Sequence, residues 1–182
     1  MSNAPINGNQ FTSAVNVTSL MKTDMNIPEM MMAIQIERGN VLDNQIKDQM
    51  ADMQKRNLWL KDANSALNAM RTARPTGEKD AAKSYGTFTD GSGATQNVHD
   101  WMTQNGVSIE TAGNDKIGGQ SEFDAAIQNL KGSIDTVNSQ SQMDMVRLQG
   151  LMDKRNQAFD MMTNIESKTA QSLNKTIQAL GQ

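Results

Sequence analysis

The chain has 182 residues, 37% of them hydrophobic and 20% charged, a balance that suits one folded domain and argues against outright disorder. Its net charge of −3 and the lack of any Lys/Arg-rich run remove the electrostatic footprint of a nucleic-acid binder. The absence of Cys excludes disulfides, thiol catalysis and thiolate metal sites. Fifteen Met stand against 4 Phe, 2 Trp and 1 Tyr, so flexible side chains replace the rigid anchors of a thick core. That composition favours a long helical protein in which each residue meets one or two neighbouring helices.

Residues 1–25 are rich in Ser, Thr and Asn and carry neither a basic n-region nor a continuous apolar h-region. They read as a flexible N-terminal segment, and any export takes a route that does not use a standard cleaved signal. No run of about 18 apolar residues suggests a membrane span.

The first helix is expected over 26–74. Asn26 caps it with Glu29 as the reciprocal partner, Pro28 is tolerated in the first turn, and Arg74-Pro75-Thr76-Gly77 stops it. Leu42, Ile46, Met50, Met53, Leu60, Ala63, Leu67 and Met70 follow a three-four spacing, broken at Asn57, that predicts a coiled-coil seam. Such a helix is roughly 65–70 Å long.

Residues 75–120 change character, with many Gly, Thr, Ser, Asn and Asp, and predict a surface insert of loops and short elements. Val98–Gly106 reads as a short helix ended by Gly. Val107–Glu110 and Lys116–Gly118 read as strands joined by a Gly113-Asn114-Asp115 turn. Thr89–Ala94 departs from the calcium-loop pattern at Ser92 and Ala94 and is expected to be a flexible tip.

The last helix is expected over 121–182, with Ser121 as cap, Asp124 as its partner and Gly181 as the stop. Phe123, Ile127, Leu130, Ile134 and Val137 give one seam against the first helix, before the polar stretch Asn138–Gln142. Beyond it, Met145, Leu148, Leu151, Met152, Phe159, Met162, Ile165, Leu173, Ile177 and Leu180 spread over more of the circumference than one partner helix covers. These residues are expected to make polymerisation contacts. Asn156, Thr163 and Ser167 are expected on the opposite, polar face.

Nothing in the chain converges into a catalytic, cofactor or metal site. The single His99 has no second base or nucleophile in its pattern, and the acids are dispersed over helix faces among a similar number of basic residues. The fold class expected is mainly α: a long antiparallel two-helix coiled-coil hairpin with a small irregular, β-containing insert, polymerising into a helical tube. Met-rich stretches such as Met30-Met31-Met32 suit surfaces that meet more than one partner.

This layout resembles the EspA-like filament proteins of type III secretion systems. The resemblance is carried by Val98–Ile109, by Gln142–Gln149, and by Lys154–Asn164, which is similar to the filament subunit of Bordetella-type systems. It implies a secreted, non-enzymatic surface filament that extends the needle and conducts unfolded effector proteins, with Asn156, Thr163 and Ser167 available to line the channel. It further implies partners: further copies of the chain, a cytosolic export chaperone that masks the last helix, and the needle and translocator proteins. A needle-tip or translocator-type protein forming a small closed oligomer, and an intracellular coiled-coil chaperone or adaptor, are the alternative readings.

Overall fold

A computed structural model describes residues 26–109 and 116–180. Helix accounts for 77% of them. The order is α1 (Ile27–Ala73), β1 (Lys83–Ser84), β2 (Thr87–Thr89), β3 (Thr95–Asn97), α2 (Val98–Gln104), β4 (Ile117–Gly118) and α3 (Gln120–Leu180). The expected N-terminal segment, the Gly113-Asn114-Asp115 turn and the Gly181 stop lie outside the described residues. The chain divides into two compact units, one formed by Asp48–Leu148 and the other by the chain up to Lys47 together with Gln149 onward.

Helix α1 starts where its sequence supplies partners for the first free amides. Asn26 Oδ1 accepts from Glu29 N at 3.0 Å, and Glu29 Oε2 accepts from Asn26 N at 3.1 Å, a reciprocal capping box. The helix ends at Ala73, ahead of the buried Pro75. Helix α3 differs from expectation at its start. Gly119 N, not Ser121, donates to a side chain, the Glu122 carboxylate, at 2.7 Å. Asp124 is taken instead by the Arg74 guanidinium in a two-point pair at 2.7 and 2.6 Å. A carboxylate held by a fork of two donors is not free to cap its own helix.

In the Asp48–Leu148 unit, α1 and α3 run antiparallel, as the Arg74–Asp124 and Arg56–Asp144 pairs at its two ends show. Between them the insert closes a core of Ala63, Ala66, Leu67 and Met70 from α1, Phe123, Ala126, Ile127, Leu130 and Ile134 from α3, and Tyr85, Phe88, Val98, Trp101, Met102 and Val107 from the insert. Aromatic rings, rare in the chain, collect here. Tyr85 stacks on Phe123 at 4.5 Å, and Trp101 lies 5.7 Å from both Trp59 and Phe88.

The insert's strands pair differently from the sequence expectation. Ile117–Gly118 is a strand, but its antiparallel partner is Lys83–Ser84, while 107–109 is not a strand. The reason lies in the end of α2: Val107 N donates to Met102 O and Gly106 N to Thr103 O, with Gly106 at φ 69, so the chain turns back against the helix. Val107 is thereby spent as a core plug against the buried Met102. Strands β2 and β3 form a hairpin in the register Thr87↔Asn97, Phe88↔Gln96 and Thr89↔Thr95.

The tip of that hairpin, expected to be flexible, is tied internally. Asp90 Oδ1 accepts from Ser92 N, Ser92 Oγ and Ala94 N, and Oδ2 accepts from Gln96 Nε2. Led by the Ser92 hydroxyl, these donors pull the Asp90 carboxyl down to about 2. Gly91 N then donates to Asp62 Oδ1 of α1 at 2.7 Å, pinning the tip to the helix.

In the other unit α1 and α3 also run antiparallel, with Asp43 paired to Arg155 and Pro28 and Met31 beside Ile165–Thr176. Among the described residues of this unit, Leu42 and Ala158 are the buried apolar side chains and Gln35 the buried polar one.

Candidate interaction surface

The surface α3 leaves free depends on which of its residues the chain itself covers. The buried and half-buried positions on α3 include a three-four series at 123, 127, 130, 134, 137, 141, 144 and 148 in the Asp48–Leu148 unit, widened by Ala126 and Ser133, and at 151, 155, 158, 162 and 165 in the other unit. The seam does not stop at the polar stretch 138–142; Ser141 and Asp144 occupy seam positions within it. Leu148, Leu151, Met162 and Ile165, expected as contacts between subunits, therefore lie half-buried on the face that packs within the chain.

On α1 the matching face runs through 35, 39, 42, 46, 49, 53, 56, 60, 63, 67 and 70. Of the expected seam, Leu42 and Leu67 are buried, and Ile46, Met53 and Leu60 are half-buried. Met50 is 49% exposed, because the step from Ile46 to Met53 passes through Gln49. A continuous helix keeps its period even where a neighbouring residue is more apolar. Across α3, Phe123, Ile127, Leu130 and Ile134 are buried and Val137 half-buried.

Where the hydrophobic pattern breaks near Asn57, the seam position belongs to Arg56, which forms an ion pair with Asp144. Asp144 is 14% and Arg56 34% exposed, so the pair is largely withdrawn from water. Such a pair adds little net stability over apolar residues, but it favours one register, since a slip leaves a charge unpaired.

What remains exposed on α3 is apolar to an unusual degree. In the Asp48–Leu148 unit Met143, Met145 and Val146 are 54–69% exposed. In the other unit Met152, Phe159, Met161, Leu173, Ile177 and Leu180 are exposed as well. Met152, Phe159, Leu173 and Leu180 are spaced by seven or fourteen residues, so within this unit they form a line along the helix that drifts only slowly round it. The Arg155 guanidinium lies over the Phe159 ring, 5.0 Å from its centroid, and Phe159 stays 42% exposed.

Asn156, Thr163 and Ser167 are exposed, and Asn156 and Thr163 lie beside Phe159 rather than opposite it. Asn156 and Thr163 precede and follow Phe159 by three and four residues, and Thr163 Oγ1 donates to Phe159 O at 3.1 Å, which places them on Phe159's own side. The free side of α3 is thus mixed, a methionine and aromatic line interleaved with amides and hydroxyls.

His99 has a structural setting. Its ring, 6.2 Å from that of Tyr85, brings Nδ1 to 3.4 Å from Asp100 Oδ1, while Lys116 Nζ donates to Asp100 Oδ2 at 2.7 Å. The ammonium, then the imidazole, hold the Asp100 carboxyl below the usual range. Among the described residues no group of three or more His, Asp or Glu could hold a metal, and no helix is long and apolar enough to cross a membrane. No protein-family model, curated protein or solved structure matches the chain.

Proposed function

We propose that this protein is the structural subunit of an extracellular type III secretion filament, which extends the needle and conducts unfolded effector and translocator proteins. The observation that carries this reading is the exposed apolar line of α3 from Gln149 onward, in which Met152 and Phe159 lie beside the seam filled from within the chain and Leu173 and Leu180 lie beyond its end at Ile165. Scattered exposed hydrophobes are ordinary on any surface, whereas a line of them along one long helix calls for a partner of the same length.

A second copy of the same helix meets that requirement. When the contact joins unlike patches and the rotation does not close, repetition builds a helical tube. Asn156, Thr163 and Ser167 then supply polar positions toward a wet channel. Before export the same line needs cover in the cytosol, the role of a dedicated chaperone.

The test combines secretion with imaging. The protein should accumulate in culture supernatant only when a type III apparatus works, and the purified chain should form tubes in electron micrographs. Small closed rings would favour the needle-tip reading, and a strictly cytosolic chain would favour the adaptor reading; either result overturns the proposal.

A further inference from the structure

The two units invest very differently in the pairing of α1 with α3. Around Met70 and Phe123 the interface is closed by large side chains with no exposure at all. In the other unit α1 presents Gln35, Gly39, Leu42 and Ile46 to its seam, so two of four successive positions lack an aliphatic side chain.

Both of those positions are poorly matched. Gln35 is 8% exposed, yet its Oε1 accepts no hydrogen bond from any described residue, and a buried carbonyl oxygen left unpaired opposes the packing that buries it. Gly39 is buried, but a Cβ at this position would meet nothing within 4 Å, so the seam there has unfilled space under the residue that, after proline, least favours helix. An ion pair across this stretch, Asp43 with Arg155, is 38% and 40% exposed and holds weakly. Facing them, Leu151, Met162 and Ile165 are only half-buried.

We propose that residues 27–47 of α1 act as a releasable cover on α3, opening locally before the Asp48–Leu148 unit unfolds, so that a second copy of the chain takes the surface beneath. Opening bares Leu151, Ala158, Met162 and Ile165, which adjoin the already exposed Met152, Phe159 and Met161 and together turn a line into a broad apolar face. The release step stands on the seam alone; its use in assembly rests on the filament reading. Local opening of this kind belongs to the segments with the fewest buried apolar contacts.

Hydrogen exchange of the full monomeric chain, followed by mass spectrometry, reads the opening directly. Amides of 31–46 and 150–164 should exchange at least about a hundredfold faster than those of 63–70 and 123–134. Equal protection of the two sets overturns the cover. The double variant Gln35→Leu, Gly39→Leu fills the seam and should slow exchange in both 31–46 and 150–164 by about tenfold or more, and slow filament growth with it. Fraying of the α1 terminus alone would leave 150–164 unaffected by that variant, a result against the proposal. If exchange slows while filaments grow at the unmodified rate, the gating role falls and the filament reading stands. If the unmodified chain forms no filaments, that reading falls, while the exchange data still decide the cover.

Discussion

Replacing Phe123 by Ala is the most severe single perturbation that the core of the Asp48–Leu148 unit offers. The ring has no solvent exposure, stacks on Tyr85 at 4.5 Å, and belongs to the one cluster that joins α1, α3 and the insert. Removing a buried Phe costs about 3–5 kcal/mol, part transfer and part cavity, and the upper half of that range applies where neighbours cannot collapse. Here the neighbours are fixed by the insert's own turns and by the Arg74–Asp124 pair, so about 4 kcal/mol is expected. For a unit of this size that corresponds to a fall in melting temperature of roughly 15–30 °C. Trp59 and Trp101 both lie in this cluster, so tryptophan fluorescence against urea reports the loss selectively, and the midpoint should fall without a change in slope. A loss below about 1 kcal/mol would mean that Phe123 is not enclosed and would refute the picture of a single core spanning helices and insert.

Other outcomes follow from the same structure. Gly118→Ala should destabilise by about 1–3 kcal/mol in the same assay, because the added Cβ would lie 2.8 Å from the Tyr85 ring carbon that bears the hydroxyl. Arg56→Ala should cost about 1–3 kcal/mol by leaving Asp144 largely buried and unpaired, whereas Arg56→Met with Asp144→Leu should be neutral or stabilising and should loosen the register, measurable by denaturation and by cross-linking. The Asp90 carboxyl sits at about 2, below its ordinary 3.8, so its contribution to the hairpin is complete above about pH 4 and is lost as pH falls toward 2. An NMR titration of that carboxyl should show the low midpoint, and Ser92→Ala should raise it. A value unchanged by Ser92→Ala would contradict the hydroxyl's leading role.

Much of this architecture is written in local chemistry. The capping box at Asn26 and Glu29, the stop at Arg74-Pro75 and the glycine-ended α2 all depend on residues a few positions apart, and each appears in the structure where its sequence signal stands. Pairings over a longer range were not legible. Asp124 looks like a cap until Arg74, fifty residues earlier, claims it, and Val107–Ile109 looks like a strand until Met102 draws Val107 into the core. Tyr85 and Phe88 carry no periodic signal in a Gly-rich insert, yet they supply its core.

The surface of α3 was half legible for a related reason. Hydrophobicity alone does not separate Leu148, Leu151, Met162 and Ile165, which the seam consumes, from Met145, Met152 and Phe159, which it leaves out; strict helical phase does. The same phase puts Asn156 and Thr163 beside Phe159. Gln49 and Arg56 were invisible as seam residues because polar side chains there break the apolar pattern while keeping its period.

The measurement that bears most directly on the central claim is electron microscopy of the purified chain beside its Phe159→Asp variant. Phe159 is 42% exposed, so the variant should remain soluble, helical and within about 0.5 kcal/mol of the unmodified monomer in stability. The account predicts long tubes from the unmodified chain and none from the variant. Tubes that persist in the variant, or an unmodified chain that stays monomeric at every concentration, would contradict it.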